Sequence, residues 1–371
     1  MKRKLVVVEE YCTRAAGSDC ARCASACPQG AITVPDGHEA PTVDHDLCNG
    51  CGICFGVCDA FASTHLTMAD LHARIRRIAT DGRRAYITCK ENVFPGLDVD
   101  TNVVVLPCIS MIPPEMWTLL LSENIRLSVA CDFNYCDGCE RGGELGGMLF
   151  PRAIEIAQER TGGEVKFSYR IPEKQTLVGK YTDNSESADR RAVFTGAASD
   201  VLEIASGKRR LRNSEVLSDY YARKERMRAT LRLNLAERDV FQDFSPEGVH
   251  KHTMFPKQKM LLEAIERQHE IAPKIMVATT TTDFELCTGE AACCEHCPTG
   301  AREMKDGTPT IDHLYCIGCG ICVDVCPHGA VALESTTAEI YLDAIERAEE
   351  QRKKDEADGK KSPLSFLNAR K

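Results

Sequence analysis

Cys48, Cys51, Cys54 and Cys58 stand at C-x2-C-x2-C-x3-C spacing, and Cys316, Cys319, Cys322 and Cys326 repeat it, with Pro327 following. A short Gly-rich loop with thiolates at every third position points each sulfur inward at a different iron of one cuboidal cluster. The fourth cysteine is carried off on the helix that follows, to a second cluster. Zinc sites use separated pairs of ligands instead, so the spacing favours iron and sulfide.

Both runs belong to an internal repeat. Cys27-Pro28-Gln29-Gly30-Ala31, Asp36-Gly37, Pro41-Thr42-Val43-Asp44-His45 and Cys48-Asn49-Gly50-Cys51-Gly52-Ile53-Cys54 form the first copy. The second reads Cys297-Pro298-Thr299-Gly300-Ala301, Asp306-Gly307, Pro309-Thr310-Ile311-Asp312-His313 and Cys316-Ile317-Gly318-Cys319-Gly320-Ile321-Cys322. The offset is 270 at the first cysteine and 268 from the Pro-Thr pair onward, so the first copy is longer between them. A strand, a Gly turn and a second strand fit between the cysteine runs, over 31–34 and 42–44 in the first copy, which predicts a hairpin.

The cysteines upstream depart from this regularity. Counting back from Cys27, Cys23 and Cys20 are present, Gly17 stands where a third is expected, and Cys12 lies five residues further upstream. Residues 13–19 can loop out, so Cys12, Cys20, Cys23 and Cys58 are expected to share one site. Counting back from Cys297, Cys293 and Cys287 are present, Glu290 stands between them, and an extra Cys294 follows Cys293. Either Cys294 or Glu290 supplies the missing ligand, or the site holds three irons. Thiolate suits iron–sulfur better than carboxylate, which favours Cys294, with Cys326 completing the set. His296, beside Cys297, reads as a residue behind the ligands or at the surface rather than a ligand.

A third group, Cys89, Cys108, Cys131, Cys136 and Cys139, lies in a stretch that alternates between strand and helix. Strands are expected over 85–89, 102–108, 124–131 and 165–171, with helices over 114–122 and 142–160. Near-continuous apolar strands joined by helical crossovers predict a mostly parallel sheet, whose ligands belong at the carboxyl ends of its strands. Cys89, Cys108 and Cys131 fall at those ends, and Cys136 and Cys139 sit in the loop after the third strand. A single buried thiol is an ordinary core residue. Three strands each ending in cysteine, beside a C-x2-C loop, predict a converged ligand set instead.

The two outer regions resemble the bacterial two-[4Fe–4S] ferredoxin family, over about 60 residues at the front and about 50 near the end. The ligand exchange of that family implies one [4Fe–4S] cluster on Cys27, Cys48, Cys51 and Cys54, and another on Cys297, Cys316, Cys319 and Cys322. With the irregular sets this makes four [4Fe–4S] clusters. The central region resembles the delta subunit family of methyl-viologen-reducing hydrogenase. The likeness is carried by Val104-Val105-Leu106-Pro107-Cys108-Ile109-Ser110, Pro113-Pro114-Glu115-Met116, Cys131 and the Cys136–Cys139 loop, although Ala130 stands where that family shows glycine. It implies one [2Fe–2S] cluster (or a [4Fe–4S]) on Cys89, Cys108, Cys131 and one of Cys136 or Cys139. It also implies partners: a flavoprotein of the heterodisulfide-reductase type, or a molybdenum- or tungsten-pterin oxidoreductase subunit.

The rest of the chain sets bounds. It has 371 residues, a formal charge of −9, 43% hydrophobic and 27% charged residues, which excludes a disordered or fibrous protein. The negative balance with few aromatics argues against a nucleic-acid partner. No apolar run approaches the ~20 residues of a membrane span, and none at the amino terminus makes a signal peptide. That predicts a cytoplasmic protein, where 21 cysteines read as metal ligands rather than disulfides. No phosphate-cradling loop is present, and the Gly-rich run from Gly142 to Gly147 lacks that register. Helices are expected over 215–237 and 258–270, a turn at 184–189, a loop over 241–257, a solvated basic face at 208–212 and a charged helix end after Glu350. Such helices pack on the domains they join, or dock a subunit.

The architecture expected is α+β. Two-cluster ferredoxin domains at 1–70 and 277–335 flank a central α/β parallel-sheet domain at 71–175, with a helical connector at 176–276 and a helix and tail at 336–371. With several clusters and no acid–base constellation, the expected role is an electron-transfer subunit of an anaerobic, hetero-oligomeric oxidoreductase. The alternative is a reductase whose five-cysteine site itself reduces a substrate such as a disulfide.

Overall fold

The computed structural model describes residues 5–63, 66–174 and 252–357. The expected helix at 215–237, the turn at 184–189 and the basic run at 208–212 lie outside them. Among the described residues no helix is long and apolar enough to cross a membrane.

In the first unit, β1 (Leu5–Val7) pairs antiparallel with β4 (Phe61–Ser63) and brings its two ends together. Between them run α1 (Arg22–Ser25), the hairpin of β2 (Ile32–Thr33) and β3 (Thr42–Val43), and α2 (Ile53–Val57). The hairpin closes with Ile32 opposite Val43. Gly52 takes a left-handed φ of 82°, which turns the cysteine loop into α2 at no steric cost.

A helix that the sequence reading passed over, α3 (Met68–Thr80), leads into the centre. The Thr67 hydroxyl accepts the Asp70 N–H at 3.0 Å and caps it. Leu71, Ile75 and Ile78 form its buried face. The sheet follows as β5 (Ala85–Cys89), β6 (Val103–Leu106), β7 (Leu127–Ala130) and β8 (Val165–Ser168), all parallel, in the order β6-β5-β7-β8. Its crossovers are α4 (Pro114–Ser122), over the expected residues, and α5 (Gly143–Thr161). Trp117, Ile87, Leu127 and Phe150 share the core between sheet and helices. β7 starts later than expected because Asn124 (φ 55°) makes a left-handed turn after α4. β8 stops at Ser168, whose hydroxyl accepts the Arg170 N–H at 3.1 Å and donates to its carbonyl at 3.0 Å.

The chain resumes with α6 (Pro256–Arg267), begun by a proline in its first turn rather than at residue 258. α6 buries Leu261, Ala264 and Ile265 against Leu119 of α4 and Tyr341 of α9 (Glu339–Ala357), and so seats the second unit on the central domain. Glu123, at the end of α4, ties the same elements: His72 of α3 at 2.9 Å and Arg267 of α6 at 3.2 Å. In the second unit β9 (Met276–Thr282) pairs antiparallel with β12 (Val331–Thr337) over seven residues. Inside lie α7 (Ala292–Glu295), the hairpin of β10 (Arg302–Lys305) and β11 (Thr308–Ile311), and α8 (Ile321–Asp324).

Backbone hydrogen bonds fix the correspondence between the units. Val8 N–H donates to the Ala60 carbonyl at 2.7 Å, as Asp283 N–H does to Ala330 at 2.7 Å. Asp44 N–H donates to Ala31 at 2.8 Å, as Asp312 N–H does to Ala301 at 2.7 Å. Leu5, Val7 and Ile32 therefore occupy the places of Thr280, Thr282 and Arg302.

Candidate metal centres

In the first unit Cys27, Cys48, Cys51 and Cys54 line one cavity of about 330 Å³, part of it open, with Leu5, Ile32 and Val43. Cys27 precedes the hairpin and the other three follow it, so β2 and β3 bring the two cysteine runs together. The Ala31 N–H donates to the Cys27 sulfur at 3.3 Å. Burial, and then the neighbouring thiols, push Cys51 up to about 11 and Cys54 higher still. Thiols so disfavoured as free thiolates ionise at neutral pH only beside a cation, which is how a cluster's irons fit this set. The irregular set also gathers. Cys12, Cys23 and Cys58 share one core, and Cys20 and Cys12 raise Cys23 after burial does.

The second unit repeats the regular set. Burial pushes Cys319 up to about 12, followed by the charges of Cys322, Cys297 and Cys316. The Ala330 N–H donates to Cys326 at 3.3 Å. Of the irregular set, Cys293, Cys294 and Cys326 pack in one core, with the sulfurs of Cys293 and Cys294 3.9 Å apart. Cys287, the counterpart of Cys12, is half-buried and is not among the side chains packed there. Glu290 is exposed, and its carboxylate lies 3.0 Å from the His328 ring. The exposed His296 ring pairs with the Ala292 carbonyl at 3.0 Å.

All five central thiols line one cavity of about 380 Å³, part of it open, at the carboxyl edge of the sheet. Here the structure adds residues that the sequence reading missed. Buried Asn92 donates from Nδ2 to Cys89 at 3.0 Å and to Cys131 at 3.3 Å, while its Oδ1 accepts the Asp132 N–H at 3.2 Å. The Gly142 N–H donates to Cys139 at 3.4 Å. Ser110 hydrogen-bonds Cys108, which offsets part of the rise that burial causes. A hydrogen bond from Cys136 holds Cys131 below its usual range and drives Cys136 far up. The Gly-rich run also finds its use: a Cβ on Gly146 would sit 3.2 Å from the Cys108 sulfur, and one on Gly147 2.9 Å from the Cys136 Cβ. Glycines in a helix cost about 1 kcal/mol each against alanine. Here they let α5 approach the thiols.

The first unit abuts this cavity. Cys51, Ile53 and Cys108 share a small apolar core, and Cys108 raises Cys51 more than any other thiol does. A Cβ on Gly56 of α2 would strike the Ser110 carbonyl at 2.3 Å, so glycine alone permits that approach. Asn49 donates to the carbonyls of Glu140 and Arg141 at 2.9 Å each, and Arg141 returns a bond to the Asn49 carbonyl at 3.0 Å.

Another unexpected feature is Arg302, 1% exposed. It donates to Thr280 Oγ1 at 3.2 and 2.9 Å, to Thr282 Oγ1 at 2.8 Å and to the Thr281 carbonyl at 3.3 Å. Its signal in the sequence is the single charged residue that follows Ala301 where Ile32 follows Ala31. Among the described residues, no three His, Cys, Asp or Glu side chains close on a point fit for a single metal ion. The thiols ring volumes instead.

Comparison with protein families finds two matches. A 4Fe-4S dicluster domain covers residues 18–62, which include seven of the first unit's eight cysteines and leave out Cys12. A 4Fe-4S binding domain covers residues 309–332, with Cys316, Cys319, Cys322 and Cys326. Searches of the curated proteins and of the solved structures returned no match. The chain thus carries ferredoxin-type [4Fe–4S] sequences at both ends of a parallel-sheet domain, and iron–sulfur electron transfer is the chemistry they point to.

Proposed function

We propose that this chain is a polyferredoxin-like electron-transfer subunit that carries electrons between partner subunits of an anaerobic, cytoplasmic oxidoreductase. The observation that carries the reading is the cavity that gathers Cys27 with Cys48, Cys51 and Cys54 from the two sides of a hairpin. Clusters bound at such sites supply one-electron redox chemistry. The remaining work is done by the chain. Cys27, Cys48, Cys51 and Cys54 hold one [4Fe–4S] cluster, Cys12, Cys20, Cys23 and Cys58 a second, and Cys297, Cys316, Cys319 and Cys322 a third. Cys287, Cys293, Cys294 and Cys326 hold the fourth; buried Cys294 supports this, as does Glu290, which is engaged outward by His328.

Cys89, Cys108, Cys131 and Cys139 hold the central [2Fe–2S] cluster. Asn92 and the backbone N–H groups of Ser110 and Gly142 supply donors to those four sulfurs, which favours their charged form and leaves Cys136 spare. The resemblance to the hydrogenase delta subunit family supports this part, with its flavoprotein or pterin-enzyme partners. The apolar packing shared by Cys51, Ile53 and Cys108 brings two of the sites side by side and makes them neighbours on one electron path.

A second reading rests on Cys136, a thiol hydrogen-bonded to Cys131 at an open site: there the chain itself reduces a disulfide. Turnover of a disulfide by the isolated, iron-loaded chain with a chemical reductant would favour it. Electron delivery to partners alone, with none by Cys136→Ala lost, supports the carrier.

A further inference from the structure

We infer that Arg302 sets the two ferredoxin units apart in reduction potential, holding the centre on Cys297, Cys316, Cys319 and Cys322 above its counterpart on Cys27, Cys48, Cys51 and Cys54. The inference rests on the cluster reading above. Arginine remains protonated in proteins, and a buried charge is costly unless it is paired. Arg302 is fully buried, and all four of its hydrogen bonds go to neutral acceptors, the hydroxyls of Thr280 and Thr282 and the Thr281 carbonyl. Among the described residues no carboxylate lies within ion-pair distance of it. The negative groups that feel its charge are the thiolates of Cys322 and Cys294. Thr280, which holds two of its nitrogens, also lies 3.7 Å from the Cys322 sulfur.

In the first unit the three equivalent positions are Leu5, Val7 and Ile32, and Leu5 and Ile32 line the cavity of the four thiols. Three positions on two strands therefore differ together. The threonines of β9 provide what a guanidinium on β10 needs and what an isoleucine there does not. A fixed positive charge in a low-dielectric site stabilises the more negative, reduced state of a centre more than the oxidised one. When one electron passes from the first unit to the second, the centre on Cys27 is oxidised and that on Cys297 is reduced. No proton needs to move at either centre, and the reduced flavin or metal–pterin group of the partner proposed above replaces the electron. Arg302 makes the second unit the downhill end of that exchange.

Reductive titration of the iron-loaded full chain, followed by electron paramagnetic resonance, tests this. Each signal is assigned by its loss in Cys51→Ser or Cys319→Ser. In the parent the Cys319-dependent signal should reach half intensity at the higher potential. Arg302→Gln should lower that midpoint, and leave the Cys51-dependent one unmoved, by at least a tenfold change in the reduced-to-oxidised ratio, which is about 59 mV for one electron. Arg302→Lys, which keeps the charge, should stay near the parent. An unmoved midpoint in Arg302→Gln at full iron content would overturn the inference, as would equal or reversed midpoints in the parent. Should Arg302→Gln lose its iron, the order of the parent midpoints decides. A parent chain that binds no iron at all would overturn the cluster reading instead.

Discussion

Ile32 and Arg302 follow the same Cys-Pro-x-Gly-Ala run and open the same hairpin, yet one completes an apolar lining and the other buries a charge. The backbone frames agree down to the bond from the residue after each opening strand, Val8 or Asp283, to the carbonyl of Ala60 or Ala330. The units differ in lining and in neighbours. The first leans its Cys51 loop on the Cys108 turn of the central domain, while the second is seated through α6 and α9. The frame thus decides where thiols converge, and the residues behind the thiols decide what each site does.

The widest difference should emerge when the clusters are removed. Each ferredoxin unit is small and buries little core unaided, so metal binding carries much of its stability. Chelation should abolish amide-exchange protection in β1, β4, β9 and β12 while β5, β6 and β7 keep theirs. The second unit should open first, because Arg302 then loses its negative neighbours. Equal protection in both units before and after chelation would refute this.

Next come single ligands. Cys51→Ser and Cys319→Ser should each remove or convert one cluster, up to about four irons per chain. Only Cys51→Ser should also perturb the spectrum of the central site, since only Cys51 adjoins Cys108. The same central spectrum in both variants would show the two sites to be independent. Cys294→Ser should convert or lose one cluster and spare the Cys316 signal, whereas Glu290→Gln should leave iron content unchanged. The opposite pattern would make Glu290 the ligand.

The regular cysteine spacing, the hairpins and the extent of α4 were legible because each is local. Less legible was whatever depends on strand register. Thr280 and Arg302 stand 22 residues apart and meet only through the folded ladder. Asn92 gives away its role at Cys89, three residues back, but its bond to Cys131 spans 39 residues. The helix α3 escaped notice because Leu71, Ile75 and Ile78 are embedded among His72, Arg74, Arg76 and Arg77. The Gly-rich run was set aside because it lacks a phosphate-binding register, and its glycines make room for sulfur.

The smallest effect concerns the joint between the first unit and the centre. Arg141→Ala removes one bond to Asn49 and the pair with Glu91, and should cost about 1 kcal/mol of unfolding free energy measured by denaturant titration. Ile317, the counterpart of Asn49, packs against the core of the first unit, so Ile317→Ala should leave the central spectrum unchanged. A shift there would tie the second unit to the centre as closely as the first.

The account depends most on metal content. Iron, acid-labile sulfide and zinc should be quantified together on the full chain purified without oxygen. Four cubanes and one [2Fe–2S] cluster predict roughly 18 irons and as many sulfides per chain. A value near four irons, or zinc in place of iron, would contradict the multi-cluster reading.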